Sequence, residues 1–329
     1  MKAVLTDGHG SEDVLQVGDR PEPDLTAATV RISVTAAGLN RADLLQRRGL
    51  YPPPPGAPDS LGLECAGTVA EVAPGVEGFV PGDRVMALVA GGAQAESAVV
   101  DHGSVMKVPE HLADDEAGAF PEVYLTAFLN LFLLGGLGPD GTALVHGGSG
   151  GVGTAAIQLV KEAGARVLVT AGSPERCHRC LELGADLAVN HHDEDFADAA
   201  LKLTAGHGVD VVLDCIGGPY LERHLRVLAP DGRLVVIGLM GGGSAELDLR
   251  RLLSRRIRII GSTLRTLSLE RKAGIVRAFL DRFGGALAAG RLRTVVDSVH
   301  PMAEVAEAHR RLASGNAFGK VVLRIAAGD

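Results

Sequence analysis

Apolar and polar positions alternate with a period of two over residues 30–34, 68–72 and 83–88, as half-buried strands require. Turn chemistry separates them: Pro74-Gly75, Glu77-Gly78 and Pro81-Gly82-Asp83. Tyr51 is followed by four prolines and Gly56, and proline lacks the amide donor of a helix interior or central strand, so this segment predicts a stiff loop. Near residue 122 the texture changes. Short apolar strands at 143–146, 166–170 and 187–190 alternate with amphipathic helices, one over 151–163 closed by Gly164 and one begun by Ser173-Pro174 and ended at Gly184. Further strands are predicted at 209–214, 233–238 and 258–261, with helices at 221–228 and 247–254. Six strands interleaved with helices imply a parallel sheet covered on both faces. Beyond about 263 the pattern predicts two helical stretches and a final strand over 320–325.

A length of 329 residues suggests two domains, and 46% hydrophobic with 22% charged residues excludes a disordered chain. The net charge of -8 argues against nucleic-acid partners, and 3% aromatics against base-stacking platforms. Four scattered cysteines do not make a disulfide framework. No basic segment followed by an apolar run opens the chain, so no signal peptide is expected. The uncharged, mostly apolar stretch 123–139 is 17 residues with three glycines, which predicts a buried helix and no membrane span. The expectation is a soluble, cytoplasmic protein.

The sharpest motif is Gly148-x-Gly150-x-x-Gly153, set directly between a predicted strand and helix. In that context the first glycine permits the turn, the second lets a diphosphate reach the backbone, and the third lets helix pack on strand. Gly148, Gly150, Gly151, Val152 and Gly153 are therefore candidate dinucleotide contacts, with the amides of the helix start facing the anion. An NAD site places Asp or Glu at the end of the second strand. Here that segment reads Thr170-Ala171-Gly172-Ser173, with Arg176 one helical turn on and His191 after the third strand, so a 2′-phosphate and NADPH are expected.

Other chemistry finds less support. Cys177 and Cys180 are spaced for one helix face and for packing, and no second ligand pair follows at zinc-finger spacing. His191 and His192 lack an acidic cluster to complete a metal site. Asp193, Glu194 and Asp195 read as a solvated helix start. No Gly-x-Ser-x-Gly elbow is present.

Together these residues resemble the medium-chain dehydrogenase/reductase superfamily, and within it the zinc-free, zeta-crystallin-like quinone oxidoreductases. The segments carrying the resemblance are 67–72 with 80–85, which match a GroES-like domain signature, and 36–43, which matches the quinone reductase active-site segment. Segments 47–51, 126–128, 214–218 and 238–243 are similar to the tumour-suppressor-induced quinone oxidoreductase branch. Zinc-dependent relatives would place Cys near Asn40 and His at Leu63, so no metal is expected. The resemblance implies an α/β fold: a GroES-like β-rich catalytic domain over 1–121, a Rossmann doubly wound parallel sheet over 122–262, and a return to the catalytic domain over 263–329. It implies reduction of a quinone by NADPH in the cleft between domains, with Tyr51 as hydrogen-bond or proton donor and Asn40 beside both nicotinamide and acceptor. Thr126, Cys215, Ile216, Leu239, Met240 and Gly241 match nicotinamide- and ribose-side positions, Arg265 is a further cofactor candidate, and Asp43 supports its loop by hydrogen bonds. A homodimer paired through edge strand 258–261 is implied as well. Two alternatives stay open: an enone or enoyl-thioester reductase, and an NADPH-binding protein of low activity with a structural or RNA-contacting role.

Overall fold

The structure, a computed structural model, describes residues 1–325. Its contacts divide the chain into two units, Met1–Leu125 with Leu264–Asp329, and Thr126–Thr263. The first unit opens with the antiparallel pair β1 (Lys2–Thr6) and β2 (Leu15–Asp19). There follow β3 (Thr29–Gly38), helix α1 (Arg41–Arg47), β4 (Glu64–Val72), β5 (Arg84–Leu88), β6 (Ser97–Asp101), β7 (Val105–Lys107) and α2 (Asp114–Ala117). The alternation seen in the sequence works as expected in β3, where Val30, Ile32 and Val34 point into a core shared with Val69 and Val85. Residues 51–56 form turn and coil, as the prolines dictate.

Helix α3 (Pro121–Phe128) is followed by a π-helical turn, Leu129–Leu134. The expected buried helix over 123–139 is thus α-helical only to Phe128. There the Asn130 side-chain amide donates to the Thr126 carbonyl at 2.7 Å, and the Asn130 carbonyl accepts from Gly135 N, five residues on, at 2.9 Å.

The second unit alternates strand and helix: β8 (Thr142–His146), α4 (Gly151–Glu162), β9 (Arg166–Ala171), α5 (Pro174–Glu182), β10 (Leu187–Asn190), α6 (Phe196–Leu203), β11 (Val209–Asp214), α7 (Leu221–Val227), β12 (Leu228–Val236), α8 (Leu249–Arg255) and β13 (Arg258–Gly261). All six strands are parallel, in the order β10-β9-β8-β11-β12-β13. The order reverses between β8 and β11, the switch point where a doubly wound sheet takes its ligand. One boundary differs from expectation: β12 begins at Leu228, not 233, and the register shift opposite Val209 and Val211 accommodates the turn residues Asp231 and Gly232 inside the strand.

The chain then returns to the first unit through α9 (Leu269–Ala288), β14 (Val296–Pro301), α10 (Val305–Ala313) and β15 (Lys320–Arg324). β15 pairs with β3, and β14, which the sequence pattern did not predict, pairs with β15 at the sheet edge. Among the described residues no helix is long and apolar enough to cross a membrane.

Candidate functional site

In the second unit the glycine loop follows β8 directly. A Cβ on Gly148 would lie 2.6 Å from Val169 Cβ, and one on Gly153 would lie 2.2 Å from the Gly147 carbonyl oxygen. Both glycines are there because strand, turn and helix approach too closely for any side chain. Gly150 is different: a Cβ there would meet only Gly147 O, at 3.4 Å, an ordinary contact, so packing within the loop does not itself demand glycine at the start of α4. The first backbone bond of that helix runs from Thr154 N to Gly150 O, and the amides of Gly151, Val152 and Gly153 precede it. That is a cradle a diphosphate fits.

At the end of β9, Ser173 caps α5 by accepting the Arg176 amide at 3.3 Å, with Pro174 at the first helical position. Around neighbouring Gly172 a Cβ would meet His191 Cε1 at 3.3 Å, Arg176 NH1 at 3.7 Å and His192 Nε2 at 3.8 Å. The fold therefore gathers Arg176 and His191 at one point, and adds His192, which the sequence pattern did not mark as a binding residue. Burial and the charge of His192 hold His191 below the usual imidazole value.

A third group forms where turn 215–217 meets loop 239–242. Met240 N donates to Cys215 O at 3.0 Å and Gly241 N to Ile216 O at 2.8 Å. Asp214 braces the turn, accepting from Ile216 N at 2.8 Å and Gly217 N at 3.0 Å. Leu239 and Met240 remain more than half exposed. The Thr126 carbonyl accepts the Asn130 side-chain amide at 2.7 Å.

The first unit carries Asn40, Tyr51 and Arg265. Asn40 N-caps α1, and Asp43 accepts its amide at 2.7 Å and that of Gly62 at 2.9 Å, so Asp43 braces two loops. Burial pushes the Asp43 carboxyl up to about 6. The Asn40 side chain donates to Glu64 Oε1 at 2.8 Å and accepts from Lys320 Nζ at 2.6 Å. Lys320 also donates to Leu39 O at 2.6 Å and to Glu64 Oε1 at 2.7 Å, a buried ion pair whose ammonium spends three donors. Glu64 Oε2 in turn accepts the Glu122 amide at 2.8 Å. Burial, and then the Glu64 charge, push the Glu122 carboxyl up to about 8.

Arg265 is 3% exposed and sits with Tyr51, its guanidinium carbon 5.2 Å from the ring centroid. It donates to Ala90 O at 2.8 Å, Tyr51 O at 3.3 Å and Gln46 Oε1 at 2.7 Å, and its own carbonyl accepts Lys272 Nζ at 2.8 Å. The sequence offered Arg265 as a cofactor contact; the fold places it as a clamp on the Tyr51 loop. Burial, and next the Glu122 charge, raise the Tyr51 phenol above its usual value despite Arg265. Cys177 and Cys180 are buried in α5, where burial raises both thiols, Cys180 to about 12.

Sequence reasoning missed the functional weight of Glu64 and Lys320. The available signal was a single charge set in an apolar run, which marks a partnered buried ion.

Residues 26–110 match the family described as the alcohol dehydrogenase GroES-like domain, and residues 151–280 the family described as zinc-binding dehydrogenase. A quinone oxidoreductase of Homo sapiens is 31% identical over 98% of this chain and 97% of its own length. A phenolphthiocerol/phthiocerol polyketide synthase of Mycobacterium tuberculosis is 34% identical over 97% of this chain, which spans only 14% of that protein. Among solved structures, an Escherichia coli quinone oxidoreductase complexed with NADPH superposes with a TM-score of 0.87 at 26% identity, covering 99% of this chain and 100% of that one. The CurK enoyl reductase superposes with a TM-score of 0.86 at 28% identity, covering 99% of each chain.

Zinc needs thiolate, imidazole or carboxylate ligands. At Asn40, Leu63 and Glu64 this chain offers an amide, an alkyl group and a carboxylate already bonded to Lys320. These residues do not fit a catalytic zinc. The group His146, Asp214 and His224 does not fit one either, because the two Nε2 atoms face each other at 2.8 Å. Ligand atoms on a tetrahedral zinc stand about 3.3 Å apart and aim at the ion.

Proposed function

Because the chain belongs to the medium-chain dehydrogenase/reductase superfamily and has the NAD(P)-binding fold of its reductases, we propose that it is an NADPH-dependent quinone reductase that works without metal. The observation that carries the reading is the surround of Gly172, where Arg176, His191 and His192 converge at the end of the second Rossmann strand. A guanidinium and two imidazoles suit a 2′-phosphate, whereas ribose hydroxyls call for a carboxylate. The glycine loop holds the diphosphate on the amides of Gly151, Val152 and Gly153, and Cys215, Ile216, Met240 and Gly241 border the nicotinamide ribose.

When bound, NADPH supplies a hydride. Negative charge that develops on the acceptor oxygen then needs a donor. Tyr51 is that donor: a phenol carries its proton at neutral pH, burial moves its pKa further up, and Arg265 fixes its loop through the Tyr51 carbonyl. One hydride and one proton convert a quinone to a hydroquinone, so a single phenol proton, replaced from solvent, balances the step. Asn40, whose two N–H groups go to Glu64 Oε1 and Gly38 O and whose Oδ1 accepts one bond from Lys320, orients nicotinamide or acceptor through the remaining Oδ1 lone pair.

The likeness to the CurK enoyl reductase favours one competing acceptor, an enone or enoyl thioester, which takes a hydride at carbon and the same proton. The test is steady-state oxidation of NADPH and of NADH with 1,2- and 1,4-quinones, 2-enals and enoyl-CoA. Turnover of NADPH with quinones is the expected result. Turnover with enoyl substrates alone transfers the assignment to the enoyl reductase, and a preference for NADH refutes the role given to Arg176 and His191.

A further inference from the structure

Beneath the glycine loop lies a buried imidazole pair that the proposed function leaves unused. His146 ends β8 immediately before Gly147, and His224 comes from α7. They are 4% and 0% exposed, and their Nε2 atoms stand 2.8 Å apart. Phe196 and Tyr220 pack edge-on against His146, with centroids at 4.7 and 5.0 Å, and Arg223 lies over both aromatic rings. Burial holds His146 well below the ordinary imidazole value and His224 down to about 3, so both rings are neutral at pH 7.

Two neutral rings facing through Nε2 share one proton. His146 Nδ1 is 3.0 Å from Thr170 Oγ1, and His224 Nδ1 is 3.9 Å from Asp214 Oδ2 without a hydrogen-bond partner. If His224 donated, its bare Nδ1 lone pair would face the Asp214 carboxylate at 3.9 Å. If His146 donates, the Thr170 hydroxyl can donate to His146 Nδ1, and His224 carries its proton on Nδ1 toward Asp214. The second arrangement completes the hydrogen bonds from Thr170 through His146 to His224 and turns the His224 Nδ1 proton, which is beyond hydrogen-bond distance of Asp214 Oδ2, toward that carboxylate, so charge favours it.

Each end of this chain holds a turn. Thr170 accepts Gly148 N at its carbonyl at 2.8 Å and Gly147 N at its hydroxyl at 3.4 Å. Asp214 accepts Ile216 N and Gly217 N. The Cys215 thiol donates to His146 O at 3.5 Å, a second tie between the same two segments. We propose that His224 is a positioning residue for the dinucleotide: through its hydrogen bond to His146, and through Thr170 beyond it, it sets the turn at Gly147 and Gly148, and through His146, whose carbonyl accepts the Cys215 thiol, it bears on turn 215–217. The inference rests on the cofactor placement proposed above, with diphosphate at the first turn and nicotinamide ribose at the second.

The test compares wild type, His224→Phe and His224→Gln as full-length proteins. Calorimetric titration with NADPH and NADH is paired with thermal melting and with separate KM values for cofactor and acceptor. Phenylalanine keeps the ring volume among Phe196 and Tyr220 but removes both nitrogens. Glutamine can present a carbonyl oxygen to His146 Nε2. The expected result is an NADPH Kd raised about tenfold in His224→Phe, from an unpaired buried donor, and held within about threefold in His224→Gln. Acceptor KM stays unchanged in both, and NADPH KM follows Kd. Independently, histidine ¹⁵N NMR of the wild type should find the proton on Nε2 of His146 and on Nδ1 of His224, which decides the matter even if the phenylalanine variant fails to fold. The reverse tautomers, unchanged binding in His224→Phe, or an equal loss in His224→Gln overturns the proposal. A wild type that binds neither dinucleotide refutes the cofactor reading first and this one with it; a wild type that binds NADPH as well as its His224→Phe variant does refutes this one alone.

Discussion

A phenol can offer a hydrogen bond to a developing oxyanion only while it keeps its own proton. Burial and the neighbouring Glu122 hold that proton on Tyr51, and Arg265 pulls weakly the other way. Tyr51→Phe removes the donor and keeps the ring stacked near Arg265, so turnover with the preferred acceptor should fall about 100-fold, within the range of general-acid contributions. NADPH affinity should not change, which calorimetry reads beside the steady-state rate. Unchanged turnover in this variant eliminates Tyr51 as donor. The reason Tyr51 could be picked out from sequence is local: a tyrosine ahead of four prolines is rigidly presented whatever the rest of the chain does. Arg265 has no such local mark. Its partners Gln46 and Ala90 are 219 and 175 residues away in the chain, and only the fold shows that they hold it.

Elements whose start and stop chemistry is local were the most legible. Ser173 with Pro174 predicted the start of α5, and Gly148, Gly150 and Gly153 predicted the β8–α4 turn, because caps and close approaches depend on the residues themselves. The edge strand β14 was missed because its residues are only half-buried, and Asp, Ser, His and Pro dilute its pattern. The π-helical turn was missed because a single turn bonded five residues apart, Gly135 N to Asn130 O, leaves no periodic signal in a run that is apolar all round. Two predictions belong to these elements. Gly153→Ala drives a methyl group to within 2.2 Å of the Gly147 carbonyl and should abolish measurable binding of both dinucleotides, since the loop must move. Arg176→Ala removes one charged partner at the start of α5 and should raise the KM for NADPH about tenfold while leaving that for NADH unchanged. An equal effect on both cofactors would place Arg176 outside the 2′-phosphate site.

Buried titratable groups set how the whole molecule responds to pH. His309 and His224 are each lowered by burial to about 3, and His146 lies below the ordinary value too, so between about pH 3 and 6.5 the unfolded chain binds up to three protons that the native state refuses. Their contribution is present above pH 6.5 and is lost as pH falls. Two carboxyls act in the opposite sense. Asp43, raised to about 6, and Glu122, raised to about 8, hold protons in the native state that the unfolded chain has released. Their contribution is complete below pH 4 and is lost as pH rises through about 6 and then about 8. Between pH 4.5 and 6 the three imidazoles outnumber the two carboxyls, and stability rises with pH. Above about pH 7 the unfolded imidazoles have mostly lost their protons and Glu122 dominates among these five groups, so stability falls. The Tm should therefore peak near pH 7 and decline toward pH 8.5. Glu122→Gln keeps the shape of the side chain and cannot release a proton, so it should flatten the alkaline limb and leave the acid limb in place. A decline of the same size in that variant, followed by thermal melting across pH 5 to 9, would show that Glu122 keeps its charge in the native state under the influence of the Lys320 and Lys272 charges.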